Sequence, residues 1–365
     1  MSSRALLAAA FALPGVVPQA SAQSVPDAGV ASLRYLDYRD WQPGADRMRV
    51  ESPSFYVMSP FAQQWVGEAT VVYDAMSGAS PLFYNTLSGA SGRGVTDYRT
   101  AGDAKVTRYF DRYAIGVGGA YSNERDYRSK AGSLDVRWWT EDRNTVLAFG
   151  AAYTRDTINP VNEIVVDAKK TTYDFLVGVT QNLSADTVLQ SNVTYSRGRG
   201  YYDDPYKTLD ARPDQRRIWA WLTRVNHHVD GPDAVLRTAF RVLRDDWGVT
   251  SFMLEAQWAQ SLPMGFTVTP GLRYYTQSAA DFWQDPPFPS GWVPGQDYTA
   301  DTRLSAFGAF TPSIKIAKAF ADGWTADLRV DFYRQRSSWR LGGDGSPGLE
   351  TFSARWIQAG VTKSF

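Results

Sequence analysis

The sequence predicts an all-β chain: a transmembrane antiparallel β-barrel of about sixteen strands, with short periplasmic turns and long extracellular loops. Three observations predict it. Apolar and polar residues alternate with a period of two along most of the chain, which is the signature of strands with one greasy face. The connections between these segments alternate between short and long. The chain finishes in the middle of a strand pattern, on an aromatic residue, Phe365.

The first element is not a strand. Arg4 supplies a positive start, residues 5–17 an apolar run, and Ala20-Ser21-Ala22 a small-x-small cleavage site, the layout of a secretory signal peptide. Residues 1–22 are therefore expected to be removed on export, leaving one domain, 23–365, in the bacterial outer membrane. No later apolar run is long enough for a membrane helix, and in lipid only helices and closed barrels satisfy every backbone group. The short run from Gln23 to Val30 leaves no room for a plug domain ahead of the first strand, so energised import is not expected.

The strands follow in order. Trp65, Gly67, Ala69, Val71 and Tyr73 share one face, with Glu68, Thr70 and Asp74 on the other. Tyr173, Phe175, Val177 and Val179 oppose Thr172, Asp174, Gly178 and Thr180. Phe252, Leu254, Ala256 and Trp258 oppose Ser251, Glu255 and Gln257, and Phe266, Val268, Leu272 and Tyr274 oppose Thr267, Thr269, Gly271 and Arg273. Near the end, Trp324, Ala326, Leu328, Val330 and Phe332 oppose Thr325, Asp327, Arg329 and Asp331. The last greasy row is Ile357, Ala359, Val361 and Phe365, the pattern that the barrel assembly machinery reads; Lys363 interrupts it, one step from the periplasmic end, where a lysine can snorkel to the headgroups.

A soluble sandwich would show the same alternation. It would not place aromatics at both ends of the greasy rows, as Trp65 with Tyr73 and Trp324 with Phe332, where interfacial girdles belong. Nor would it keep short connections (110–113, 140–144, 182–187, 263–265, 321–323) in alternation with long ones (75–103, 154–171, 197–216, 277–302, 333–354).

The chemical inventory is poor in catalytic groups. With 38 basic and 38 acidic residues the charge balances, so no nucleic-acid partner is indicated. The absence of cysteine excludes thiol chemistry and thiolate metal sites. The only histidines, His227 and His228, are adjacent, point to opposite faces of a strand and fall near a periplasmic turn, so neither chelation nor an extracellular hydrolase triad is expected. No cofactor and no enzymatic activity are expected. Three loops remain of interest. Asp203, Asp204 and Asp210 could hold calcium through clustered carboxylates, or pair with the neighbouring Arg and Lys. GGDGSPG, 342–348, precedes no helix and is no phosphate loop, but a turn or a loop folded into the lumen. FWQDPPFPSGW, 282–292, suits a stiff lid, a binding surface or a packed plug.

The inner face carries the remaining chemistry. Glu68, Asp74, Asp174, Glu255, Asp327 and Asp331 are expected to face the lumen, as are Arg224, Arg237, Arg241, Arg273 and Arg329. Both signs interleave, which suits either a pore lining or a salt-bridge network, and no strong ion selectivity is indicated.

Several stretches together resemble one bacterial family. They are Ser77-Gly78-Ala79-Ser80-Pro81, GDAKVTRYF (102–110), NPVNEIV (159–165), GRGYYDDPYK (198–207), RYYTQSAADF (273–282) and WRLGGDGSPGL (339–349). The combination is similar to the domain-of-unknown-function family 3570 over nearly all of residues 23–365, with Asn159-Pro160 where an Asp-Pro opening is common. The resemblance implies an outer-membrane-type barrel, brings no catalytic residues, and points to an envelope redox partner. The expected function is a porin-like or export channel for small solutes. The alternative is a plugged barrel serving as a binding or assembly scaffold for that redox partner.

Overall fold

The computed structural model describes residues 23–78, 95–207, 209–285, 293 and 295–365. Residues 1–22, expected from the sequence to be a signal peptide, the middle of the loop 75–103 and the segment 286–292 of the Pro-aromatic loop lie outside the described residues.

Sixteen strands form one closed antiparallel barrel. The first eight are β1 (Val30–Gln42), β2 (Ala45–Phe61), β3 (Trp65–Gly78), β4 (Val95–Tyr109), β5 (Tyr113–Asn123), β6 (Tyr127–Trp139), β7 (Thr145–Ile158) and β8 (Ala168–Asn182). The second eight are β9 (Thr187–Gly200), β10 (Gln215–Val229), β11 (Ala234–Asp245), β12 (Thr250–Leu262), β13 (Phe266–Gln277), β14 (Phe307–Ala319), β15 (Trp324–Arg336) and β16 (Phe352–Ser364). Each strand pairs with its sequence neighbours, and β1 closes on β16 from Val30↔Ser364 to Trp41↔Ser353. Closure leaves no edge strand with unpaired backbone groups.

The polarity is that of a protein in lipid. Leu33, Val71, Val117, Val177, Leu254 and Leu328 are exposed on the outer face, while Asp156, Asp331, Thr107 and Ser129 are almost wholly buried inside. In water so continuous an apolar surface would aggregate; around a barrel it is the lipid-facing band. Trp65 and Tyr73 bound that band on β3. Residue 65 to residue 73 is about 26 Å along a strand at ~3.3 Å per residue, or about 20 Å of depth at a tilt near 40°. Lower-girdle aromatics carry cations. Arg108 lies over Trp65 and Phe110, Lys318 over Phe266 and Phe320, and Lys363 over Trp324.

The connections refine the expected pattern. All those at the end holding the chain termini are tight, with left-handed residues such as Met264 and Asp322 making the turns. At the other end, 159–167, 201–214, 278–306 and 337–351 are extended, but 43–44, 124–126 and 246–249 are short. The strands also run several residues into the segments read as loops. Their polar ends leave the lipid band while keeping their hydrogen-bonded ladders, so the apolar period fades before the strand does.

Candidate functional site: the lumen and its two mouths

Because side chains alternate, every second residue of each strand points inward, and together these enclose a cavity of ≈ 2220 Å³. Glu68, Asp174, Arg224, Arg237, Arg241, Glu255, Arg273, Arg329 and Asp331 line it.

Many inner charges neutralise one another. The Arg273 Nε donates to Glu255 at 2.5 Å, and Arg329 holds Asp331 through two hydrogen bonds of 2.7 Å along one strand. Asp74 accepts from Ser52 and from Arg99 Nε at 2.6 Å, a buried group off the cavity wall. Asp327 reaches Arg34 at 3.2 Å and Lys315 at 3.4 Å. The Arg34–Asp327 pair passes over β16 at Gly360, whose missing side chain leaves room for it: a Cβ there would meet Asp327 Oδ2 at 2.9 Å and Arg34 Nη1 at 3.0 Å. Arg224, Arg237 and Arg241 make no ion pair with a described residue.

The outer row of the last strand follows the expected alternation, with Ala359 and Val361 exposed and Ile357 half-buried. The Phe365 backbone exchanges hydrogen bonds with Gly29, and its ring lies over the Gly29 Cα, where a Cβ would approach it to 2.6 Å. Lys363 Nζ donates to the Asp322 carbonyl.

The extended loops build a cap over one mouth. Loops 201–214 and 278–306 are joined by a bridge between Ala211 and Tyr298. Trp247, Val249, Ala280, Phe282 and Leu304 form a buried apolar cluster, packed against Tyr202 and Trp283. Asp301 is 3% exposed and faces three cations, Lys207 at 3.1 Å, Arg212 at 2.9 Å and Arg303 at 2.5 Å. Burial alone would raise its carboxyl, yet the three cations hold it well below the ordinary carboxylate range. The acids considered for calcium turn to the same groups. Asp204 pairs with Lys207 and Arg303, and Asp210 with Arg212 at 2.6 Å. Asp203 accepts the Arg212 backbone N–H at 2.7 Å. Among the described residues no set of acid, histidine or cysteine side chains is arranged to hold a metal ion. Sequence reasoning missed Asp301, Lys207, Arg212 and Arg303 as a unit, since the pairing depends on loops far apart in the chain.

A second device crosses the other mouth. Inner residues Val66, Tyr109, Ala114, Trp139 and Val146 form an apolar cluster, and Val25 and Met58 pack against it. Residues 23–29 leave the start of β1 and run as a strap to the β6–β7 turn, where Gln23 Nε2 donates to the Arg143 carbonyl at 2.8 Å. The histidines lie at this end: His227 Nδ1 is 2.8 Å from Thr187 Oγ1, and His228 Nε2 is 3.4 Å from Asp230.

The model of the family described as "Protein of unknown function (DUF3570)" matches residues 3–169 and 163–356. No curated protein matches the sequence. Among solved structures, CdiB from Acinetobacter baumannii aligns with a TM-score of 0.50 and 9% identity, over 90% of this chain and 60% of that one. A bacterial polysaccharide outer membrane secretin aligns with a TM-score of 0.51 and 8% identity, over 92% of this chain and 98% of that one. At such identities the likeness is one of fold, that of outer-membrane barrels.

Proposed function

Since this chain belongs to the DUF3570 family and folds as an outer-membrane-type barrel, we propose that it is an outer-membrane channel for small polar solutes, exported by its signal peptide and inserted by the barrel assembly machinery. The observation that carries this reading is the cavity of ≈ 2220 Å³, whose lining sets charged and polar side chains among small and apolar ones. A barrel that served only as an anchor would have no use for so large an interior, whose polar groups must be hydrated or paired. Passive transfer also needs no catalytic residues. The test is single-channel recording in planar bilayers with purified, folded protein. Discrete conductance steps are expected; folded protein that inserts and never opens steps overturns the reading.

A second reading has its own observation. The cap and the strap lie over opposite mouths, as they would in a closed barrel that works as a scaffold for an envelope partner. The envelope redox partner suggested by the family resemblance is one such partner. Stable capture of one defined envelope protein by the barrel, together with absent conductance, is the outcome this reading expects.

A further inference from the structure

The lumen charges look interleaved along each strand, but the pairs described above remove most of them. What remains is segregated. Arg224 of β10 lies opposite Ala239 of β11, so Arg237 and Arg241, two residues to either side, flank it diagonally. Diagonal neighbours of this kind sit about 7–8 Å apart, within reach of one small solute for side chains as long as arginine. All three line the cavity, and among the described residues none makes an ion pair or a side-chain hydrogen bond. The nearest inward acid, Glu255, is engaged by Arg273 and Gln257.

The acids left over lie elsewhere. Glu68 of β3 and Asp103 of β4 line the cavity, and Asp103 has only a long hydrogen bond of 3.4 Å from Thr70. In the closed ring of sixteen strands β3 is eight strands from β11 (11 − 3), the opposite wall. Glu68 and Arg237 lie at matching depth, each three residues from the short-turn end of its strand (65 to 68, 234 to 237). Asp174 of β8 is two strands from Arg224 and nearer the loop end.

Magnitudes decide whether the opposite acids cancel the arginines. Sixteen strands about 4.8 Å apart and tilted near 40° make a ring about 30 Å across between backbones. The Debye length at physiological salt is about 8 Å. A solute beside β10–β11 therefore feels three guanidinium groups and little of the far wall. We infer that Arg224, Arg237 and Arg241 form an anion-binding strip in the lumen, for small solutes carrying carboxylate or phosphate groups. Guanidinium suits both, because its fixed fork of N–H donors matches their paired oxygens. The inference rests on the channel reading, whose solute class it names.

The experiment is calorimetric titration of citrate, a compact tricarboxylate, into folded protein in a zwitterionic detergent at low salt. Heat-modifiable electrophoretic mobility reports that each variant is folded. Wild type is expected to bind saturably. The Arg224→Gln/Arg237→Gln/Arg241→Gln variant is expected to bind at least about tenfold more weakly, from the loss of charge-assisted hydrogen bonds. Glu68→Gln/Asp103→Asn is expected to bind as well as wild type. If the triple variant does not fold, Arg237→Gln alone, at an exposed and unpaired position, is expected to weaken binding measurably. In bilayers under a KCl gradient the arginine variant should shift the reversal potential toward cations. Absent saturable binding, or binding unchanged in the folded arginine variant, overturns the strip. Binding without conductance leaves the strip standing and removes the channel; conductance with no citrate binding and an unchanged reversal potential does the reverse.

Discussion

At the scale of single residues, Gly360 shows why the last strand has its composition. It stands in register with Arg34 on one side and Asp327 on the other, and the ion pair joining β1 to β15 crosses above it. The two charges are nearly buried, so the crossing ties the closing seam through a pair that water does not screen. An alanine here would force the Asp327 carboxylate or the Arg34 guanidinium aside. Gly360→Ala should destabilise the folded barrel by about 1–3 kcal/mol, the usual cost of overpacking. Urea unfolding followed by tryptophan fluorescence measures it. Asp327→Asn in the Gly360→Ala background should then cost less than in wild type, because the pair is already disturbed. Equal costs in both backgrounds would separate the glycine from the ion pair. Lys363 belongs to the same scale. It sits beside Trp324 in register, reaching over that ring to a turn carbonyl, as Arg108 and Lys318 reach over their own girdle aromatics. The interruption of the greasy row is thus one of several cations set among the aromatics at the membrane boundary, where the cost is about 0–1 kcal/mol.

At the scale of elements, strands and loops differ in how much of them the sequence discloses. The strand faces were legible, from 65–73 through 324–332, because a period of two depends only on residues next to one another. The cap was not. Asp301 gains its meaning from Lys207, Arg212 and Arg303, and no local pattern joins 201–214 to 278–306. The arginine strip was hidden for a related reason: Arg224 and Arg241 become neighbours only through the register of β10 with β11. The cap makes its own prediction about acid. A carboxylate held below its unfolded value adds stability above that value, near pH 4, and loses it as the pH falls through the lower, folded one. The cap should stay closed across the neutral range and loosen only in strong acid. Asp301→Asn removes the charge at every pH and leaves Lys207 and Arg303 only Asp204, and Arg212 only Asp210, which should cost the cap about 1–3 kcal/mol. Limited proteolysis at pH 7 should then cut within 209–214 and 295–306 in the variant and spare those segments in wild type. Equal protection of both loops in the folded variant would remove Asp301 from that role.

At the scale of the whole molecule, the barrel is a wide tube narrowed at both ends by different means. The cap is held by ion pairs and an apolar cluster far along the chain, whereas the strap is a short chord anchored at one side by β1 and at the other, among the described residues, by one Gln23 hydrogen bond and the packing of Val25. The strap has the fewer attachments and should be the looser closure. In the proposed channel the two closures would act as resistances in series, so relieving one raises conductance only until the other limits it. Val25→Asp would set a carboxylate against the apolar cluster on which Val25 packs, at a desolvation cost that favours release of the strap. The variant should fold, since no strand residue changes, and should show larger conductance steps than wild type. Asp301→Asn should enlarge them through the other mouth, and the double variant should exceed either one. Recordings of all four proteins under the same salt decide it. If Val25→Asp and removal of residues 23–28 both leave the step size unchanged while Asp301→Asn raises it, the strap lies beside the path, and the cap alone sets the width of the channel.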